Sequence, residues 1–224
     1  MDKAVKTFFA DTDKVNIDTS LALRFLRVRR EPDDEMKEMI SSCVSEIENE
    51  ISYKASYRYF DIKTDGDVVR FDDCLELKSE KLSRNLKGCN GAFVFVATTG
   101  LSLDRLIHKY KSTQVAKALV IDAIGSAAVE AFCDYFCKEI QSEYGINFRP
   151  RFSPGYGDLD ISCQENVLSL CDCARKIGVT LNKGYMMIPT KSVSAIVGIR
   201  PENEKCMKSS NCENCDALEC PYRE

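Results

Sequence analysis

Apolar residues recur along this chain at two spacings, and each spacing predicts a different element. From Thr113 to Glu143, Val115, Ala118, Leu119, Ile121, Ile124, Ala128, Val129, Phe132 and Phe136 recur every three or four positions, which marks one face of a long helix. Gly145 ends it. Gly125-Ser126-Ala127-Ala128 gives that helix a small-residue surface, suited to close packing of another backbone. Met36, Met39, Ile40, Cys43, Val44 and Ile47 repeat the helical spacing after Glu31-Pro32-Asp33-Asp34-Glu35, an opening that combines a first-turn proline with acids at the positive helix end. Asp18-Thr19-Ser20 caps a short helix through Leu21, Leu23, Phe25, Leu26 and Val28.

Elsewhere the pattern shortens. Tyr53 to Phe71, interrupted by Asp65-Gly66, reads as a hairpin. Ser79 to Leu86 reads as a short helix. Ala92-Phe-Val-Phe-Val-Ala97 is a continuous apolar run, the mark of a buried strand. Thr98-Thr-Gly100 turns the chain, and Ser102 is placed to cap the next helix. Ser162 and Glu165 form a capping box for a helix that runs to Ile177 and stops at Gly178. Tyr185 to Ile188 and Ser192 to Ile199 read as strands. The expected fold is α+β: an antiparallel or mixed sheet flanked by helices over residues 1–200, followed by a cysteine-rich tail over 201–224.

Composition narrows the function. The 224 residues carry a net charge of −4, which disfavours a broad phosphate-tracking surface and so nucleic acid. No apolar run approaches the roughly 20 residues of a membrane span, and Met1 to Ala10 does not read as a signal peptide; the expectation is a cytoplasmic protein. Its 12 cysteines are then expected as reduced thiols or metal ligands. The one histidine, His108, lies on an expected surface helix among Arg105, Lys109 and Lys111. A multi-histidine zinc site within one chain is therefore excluded.

Chemistry concentrates in Arg151-Phe-Ser-Pro-Gly-Tyr156-Gly-Asp158. Arginine offers a fork of donors to a carboxylate. Gly155 permits close approach of a ligand to the backbone, and Tyr156 can stack on a purine. A helix start follows, which favours bound anions. A plain turn with Arg151 in a surface ion pair accounts for the same residues. The cysteine tail is the second feature: Cys206-x5-Cys212-x2-Cys215-x4-Cys220 can wrap one zinc ion or an iron–sulfur cluster. Cys133 and Cys137, and Cys163, Cys171 and Cys173, read as core residues, since a free thiol packs as a small hydrophobe.

Arg151-x-Ser153-Pro154-Gly155-Tyr156, the following helix and Ser192-Val-Ser-Ala195 resemble the activation domain of cobalamin-dependent methionine synthase. The resemblance spans residues from about 20 to 200 and takes in Thr98-Thr-Gly100, Asp122 and Ala128-Val-Glu130. It implies binding of S-adenosylmethionine and reductive remethylation of cob(II)alamin. It also implies roles: Arg151 on the methionine carboxylate, Ser153 and Gly155 as backbone contacts, Tyr156 lining the site. Glu130 and Asp122 would lie near the ligand or the corrin, or serve only as helix-surface acids. The chain lacks the Asp-x-His-x-x-Gly motif of cobalamin-binding domains, so the cobalamin would come on a partner methionine synthase polypeptide. It has no tryptophan, and Lys205-Cys206 stands near where the family carries a tyrosine. An electron donor such as flavodoxin or ferredoxin is implied, and with it a [4Fe-4S] cluster in the tail in preference to zinc. Two other functions fit the residues alone: an iron–sulfur electron-transfer protein for a corrinoid partner, and a non-catalytic interaction module with a structural zinc site.

Overall fold

A computed structural model of the protein describes residues 1–72 and 74–201. The elements run β1 (Lys6–Ala10), α1 (Thr19–Phe25), α2 (Asp34–Glu48), β2 (Tyr53–Asp65), β3 (Val68–Phe71), β4 (Leu75–Lys78), α3 (Glu80–Asn85) and β5 (Gly91–Thr98). They continue with α4 (Leu101–Tyr110), α5 (Val115–Tyr144), α6 (Gln164–Leu170), α7 (Cys173–Lys176), β6 (Thr180–Leu181), β7 (Met187–Ile188) and β8 (Ser192–Gly198). The main sheet is antiparallel throughout, in the order β4-β3-β2-β5-β8, with β1 paired to β2 on the same side as β3.

β5 is the centre of this sheet. All its residues are buried, because it has strands on both edges and a packed layer on both faces. The period of two along a strand sends alternate side chains to opposite layers. Phe93 and Phe95 face a core with α1, α2, α4 and α5. Val94 and Val96 face a second core with α3, α6 and α7. The first core is largely aromatic: Phe136 of α5 lies 4.9 Å from Phe95 and 5.3 Å from Tyr57, ring centre to ring centre.

The expected fold class holds, with local corrections. Asp18 and Asp33 cap α1 and α2 through the N–H groups of Ser20 and Met36, and Gly145 closes α5 in the left-handed conformation at φ 63°. However, α4 is entered from Gly100, and Ser102 lies inside the helix rather than at its cap. Asp160, not Ser162, makes the cap before α6, accepting from Ser162 N at 2.7 Å. The helix expected to run to Ile177 breaks at Asp172, whose φ is 49°, giving α6 and α7. Only Met187–Ile188 of the expected 185–188 strand is paired, to Thr180–Leu181. β1 and β4 are additions to the expected sheet. The small-residue surface at Gly125 receives side chains, Leu103 and Lys191, rather than backbone. Cys43, Cys133, Cys163, Cys171 and Cys173 are buried free thiols, Cys137 is half-buried, and His108 is exposed on α4. No described helix is long and apolar enough to cross a membrane.

Candidate functional site

After α5 the chain returns along the outer edge of β8. Phe148 bridges Ile199 and Phe152 bridges Ile196, with Phe152 N donating to Ile196 O at 3.0 Å and Ile196 N to Phe152 O at 2.8 Å. Alternation along this segment puts Phe152 into the core beside α3 and α6 and turns Arg151 the other way, onto α5. A Phe–Arg neighbour pair at a sheet edge thus fixes the direction of the guanidinium.

Arg151 Nη2 lies 2.7 Å from Glu130 Oε2 and 3.2 Å from Asp134 Oδ1. These acids are four residues apart, hence neighbours on one helix face. Cys133 and Cys137 belong to the same surroundings. Burial opposes the guanidinium's charge, yet the Arg151 pKa lies above its ordinary value, the Glu130 and Asp134 carboxylates beside it favouring the cation. Burial also pushes the Cys133 thiol far up and the Cys137 thiol up to about 12, so both stay protonated at neutral pH. Arg151 Nη1 is buried and has no hydrogen-bond partner among the described residues. An unspent buried donor is costly, and here it belongs to the residue type best shaped to take a second carboxylate.

Beyond Arg151, the loop crosses to the α3 side of the sheet. Gly155 adopts φ 81°, and a Cβ there would stand 3.0 Å from Ile161 Cδ1; both facts select glycine. Its N–H donates to Leu159 O at 2.9 Å, and Tyr156 N donates to Ser153 O at 3.0 Å. Gly155 therefore has its carbonyl, not its N–H, to offer. Tyr156 packs edge-on against Phe152, ring centres 5.3 Å apart, and is otherwise 53% exposed. Asp158 anchors the loop. It accepts from Ser79 Oγ at 2.5 Å and Glu80 N at 2.7 Å at the start of α3. Those bonds hold its carboxyl below the usual carboxylate range, the Ser79 hydroxyl contributing most.

Asp122 does not reach Arg151. It pairs with Lys191, Nζ to Oδ1 2.8 Å, and the same ammonium donates to Ser126 Oγ at 2.9 Å. Lys191 is only 11% exposed. Its backbone carbonyl accepts from Thr99 N at 3.0 Å. Asp122, Ser126, Glu130 and Asp134 thus form a polar row at every fourth position of α5, crossed by Lys191 at one end and Arg151 at the other. Sequence reasoning named Arg151, Glu130 and Asp122 but missed Lys191, Ser126 and Asp134 as members of this row. The four-residue spacing of the helix polar positions was the available signal for Ser126 and Asp134, and no local pattern pointed to Lys191. Two shallow surface depressions lie at the β2–β3 hairpin and α3, lined by residues such as Arg70, Asn90, Ser83 and Lys87, and neither includes a loop residue. Cys206, Cys212, Cys215 and Cys220 fall outside the described residues. Among the described residues no group of three potential ligands gathers to hold a metal.

The fold recurs in a solved structure, a crystal structure of the MetH reactivation domain bound to AdoHcy. The TM-score is 0.72 at 14% sequence identity, covering 90% of this chain and 80% of that one. Comparison with curated proteins gives no match. The model of one family, the activation domain of vitamin B12-dependent methionine synthase, matches residues 82–210. That is more than half of the chain and contains β5, α5, the Arg151 loop and β8, and the protein belongs to this family.

Proposed function

We propose that the protein binds S-adenosylmethionine and uses it, with one electron, to restore methylcobalamin from cob(II)alamin carried by a partner methionine synthase polypeptide. The observation that carries this reading is Arg151. It sits on the loop with Nη2 held by Glu130 and Nη1 buried without a partner among the described residues. A ligand carboxylate supplies the missing acceptor. The acids beside it then serve the ligand's ammonium group, so a zwitterionic amino acid replaces an internal ion pair with a shared one. Ser153 and the Gly155 carbonyl offer backbone contacts, and the exposed Tyr156 ring offers a stacking face for adenine.

In this reading the protein positions the methyl donor, while the partner's corrin supplies the methyl-accepting centre. Flavodoxin or ferredoxin is the expected electron source. The four tail cysteines are proposed to hold a [4Fe-4S] cluster that relays the electron, in preference to zinc. The reading is tested by anaerobic incubation of the full chain with a cob(II)alamin-loaded partner, S-adenosylmethionine and reduced flavodoxin. Methylcobalamin absorbance and methionine synthesis should return with wild type. Arg151→Ala should lose ligand affinity by roughly tenfold or more, the scale of a hydrogen bond to a charged group. Failure of wild type to restore the partner would overturn the proposal.

A further inference from the structure

The described chain ends at the mouth of a surface groove. Pro201 Cγ would stand 3.6 Å from a Cβ placed on Gly88. Gly88, Cys89 and Asn90 line a depression of about 530 Å³ together with Ile62 to Asp65 and Arg70. A second depression, of about 320 Å³, shares Thr64 with it and continues along Lys87, Arg84, Ser83 and Glu80. Those four positions lie on one face of α3 and the turn after it, so the groove follows α3 back from its C-terminal end. At the far end Glu80 N donates to Asp158 at 2.7 Å, and a Cβ on Gly157 would stand 2.7 Å from Lys81 Cδ. The groove thus joins the point where the chain departs to the anchor of the Arg151–Asp158 loop.

Three observations name its occupant. The first is unmet polarity at the mouth: Arg200 Nε and Asn85 Oδ1 are buried with no hydrogen-bond partner among the described residues, and the next residues of the chain are placed to satisfy them. The second is charge. Arg70 and Arg84 are taken up by Glu76 and Glu80, whereas Lys63 and Lys87 are exposed and pair with no acid among the described residues. The chain continues Glu202-Asn203-Glu204-Lys205-Cys206. In an extended segment, alternation puts Glu202, Glu204 and Cys206 on one side and Lys205 on the other. The third is length. Glu80 to Lys87 spans about 10 Å at 1.5 Å per residue, and five extended residues reach about 16 Å, enough to carry Cys206 to the Asp158 end.

We propose that residues 202–206 of this chain occupy the groove as an extended segment, with Glu202 and Glu204 against Lys87 and Lys63. The first of the four clustered cysteines is thereby held beside the loop that carries Arg151, whichever metal the cluster takes. The docking does not depend on the ligand assigned to Arg151.

The test is zero-length carbodiimide cross-linking of the full chain, as an equal mixture of ordinary and isotope-labelled protein, read by peptide mass mapping. The Lys117–Glu46 pair, 2.6 Å apart, is the internal control. Links from Glu202 or Glu204 to Lys63 or Lys87 within one chain are expected. Control links without them overturn the proposal. Links found only between ordinary and labelled chains also overturn it, by making the occupant a second copy. Amide hydrogen exchange gives a readout free of the reagent. Residues 202–206 should exchange about tenfold more slowly in wild type than in a Lys63→Glu, Lys87→Glu variant, the scale of two exposed ion pairs. Adding Glu202→Lys and Glu204→Lys to that variant should restore the protection. Thermal melts confirm that each variant folds. Equal exchange in wild type and the lysine variant, or no recovery in the charge-swapped chain, overturns the docking.

Discussion

Asp158 shows how one side chain sets the loop in which the chemistry is expected. Its carboxylate accepts the Ser79 hydroxyl and two N–H groups at the start of α3, where helix donors would otherwise lack partners. The loop is thereby tied to the α3 side of the sheet while Arg151, a few residues earlier, points to the α5 side. The Ser79 bond first, and the helix N–H groups after it, depress the Asp158 pKa. For a group whose folded pKa is lowered, the stabilisation is present above the unfolded value, about 3.9. It is lost as pH falls through the folded value. Asp158→Asn should therefore be less stable than wild type at neutral pH, and denaturant titrations should converge as the pH drops below about 4. A stability gap unchanged down to pH 2 would mean that the carboxylate's charge is irrelevant to the cap.

At the scale of the element, α5 links the core to the site. Its inner face carries Phe132 and Phe136 against β1, β2 and β5, and its outer row carries Asp122 to Asp134. Phe136 is fully buried and meets three other rings, Phe8, Tyr57 and Phe95. Phe136→Ala should cost about 3–5 kcal/mol in equilibrium unfolding, while ligand affinity at 25 °C, measured on the folded fraction, should change little. A cost below 1 kcal/mol would show that the aromatic layer can close over the gap. This helix was legible in the sequence because its apolar spacing persists over eight turns and a glycine stops it. β5 was legible because a strand buried on both faces is an unbroken apolar run. β1 was not: Lys6-Thr-Phe-Phe-Ala10 is a short edge strand that alternates poorly, and only its register with Tyr53–Tyr57 defines it. The break at Asp172 was hidden because helical spacing continues across it. For the site, the loop and its glycine were readable as local signals. The contacts of Arg151 with Glu130, and of Lys191 with Asp122, join residues 21 and 69 positions apart, which no local pattern encodes.

For the whole molecule, the proposed division of labour separates positioning from electron delivery. The Arg151 loop lies among the described residues, and the four clustered cysteines follow Pro201 in the sequence. Four thiolates at that spacing suit a single cluster or ion, and the proposed reaction needs one electron per methyl group transferred. These two facts make a specific prediction for a variant with Cys206, Cys212, Cys215 and Cys220 all changed to serine. Anaerobically purified wild type should contain about four iron and four sulfide per chain, the content of one such cluster, and the variant neither. Calorimetry should give the same affinity for S-adenosylhomocysteine in both, because the proposed ligand contacts, Arg151, Ser153, Gly155 and Tyr156, are unchanged. Reactivation of the cob(II)alamin partner by reduced flavodoxin should fall sharply in the variant and recover when a strong chemical reductant replaces the protein donor. Recovery is the informative step: it separates a lost electron path from a lost fold or a lost docking surface. One zinc per wild-type chain, with unchanged reactivation in the variant, would instead make the tail a structural clasp and pass the electron directly from donor to corrin.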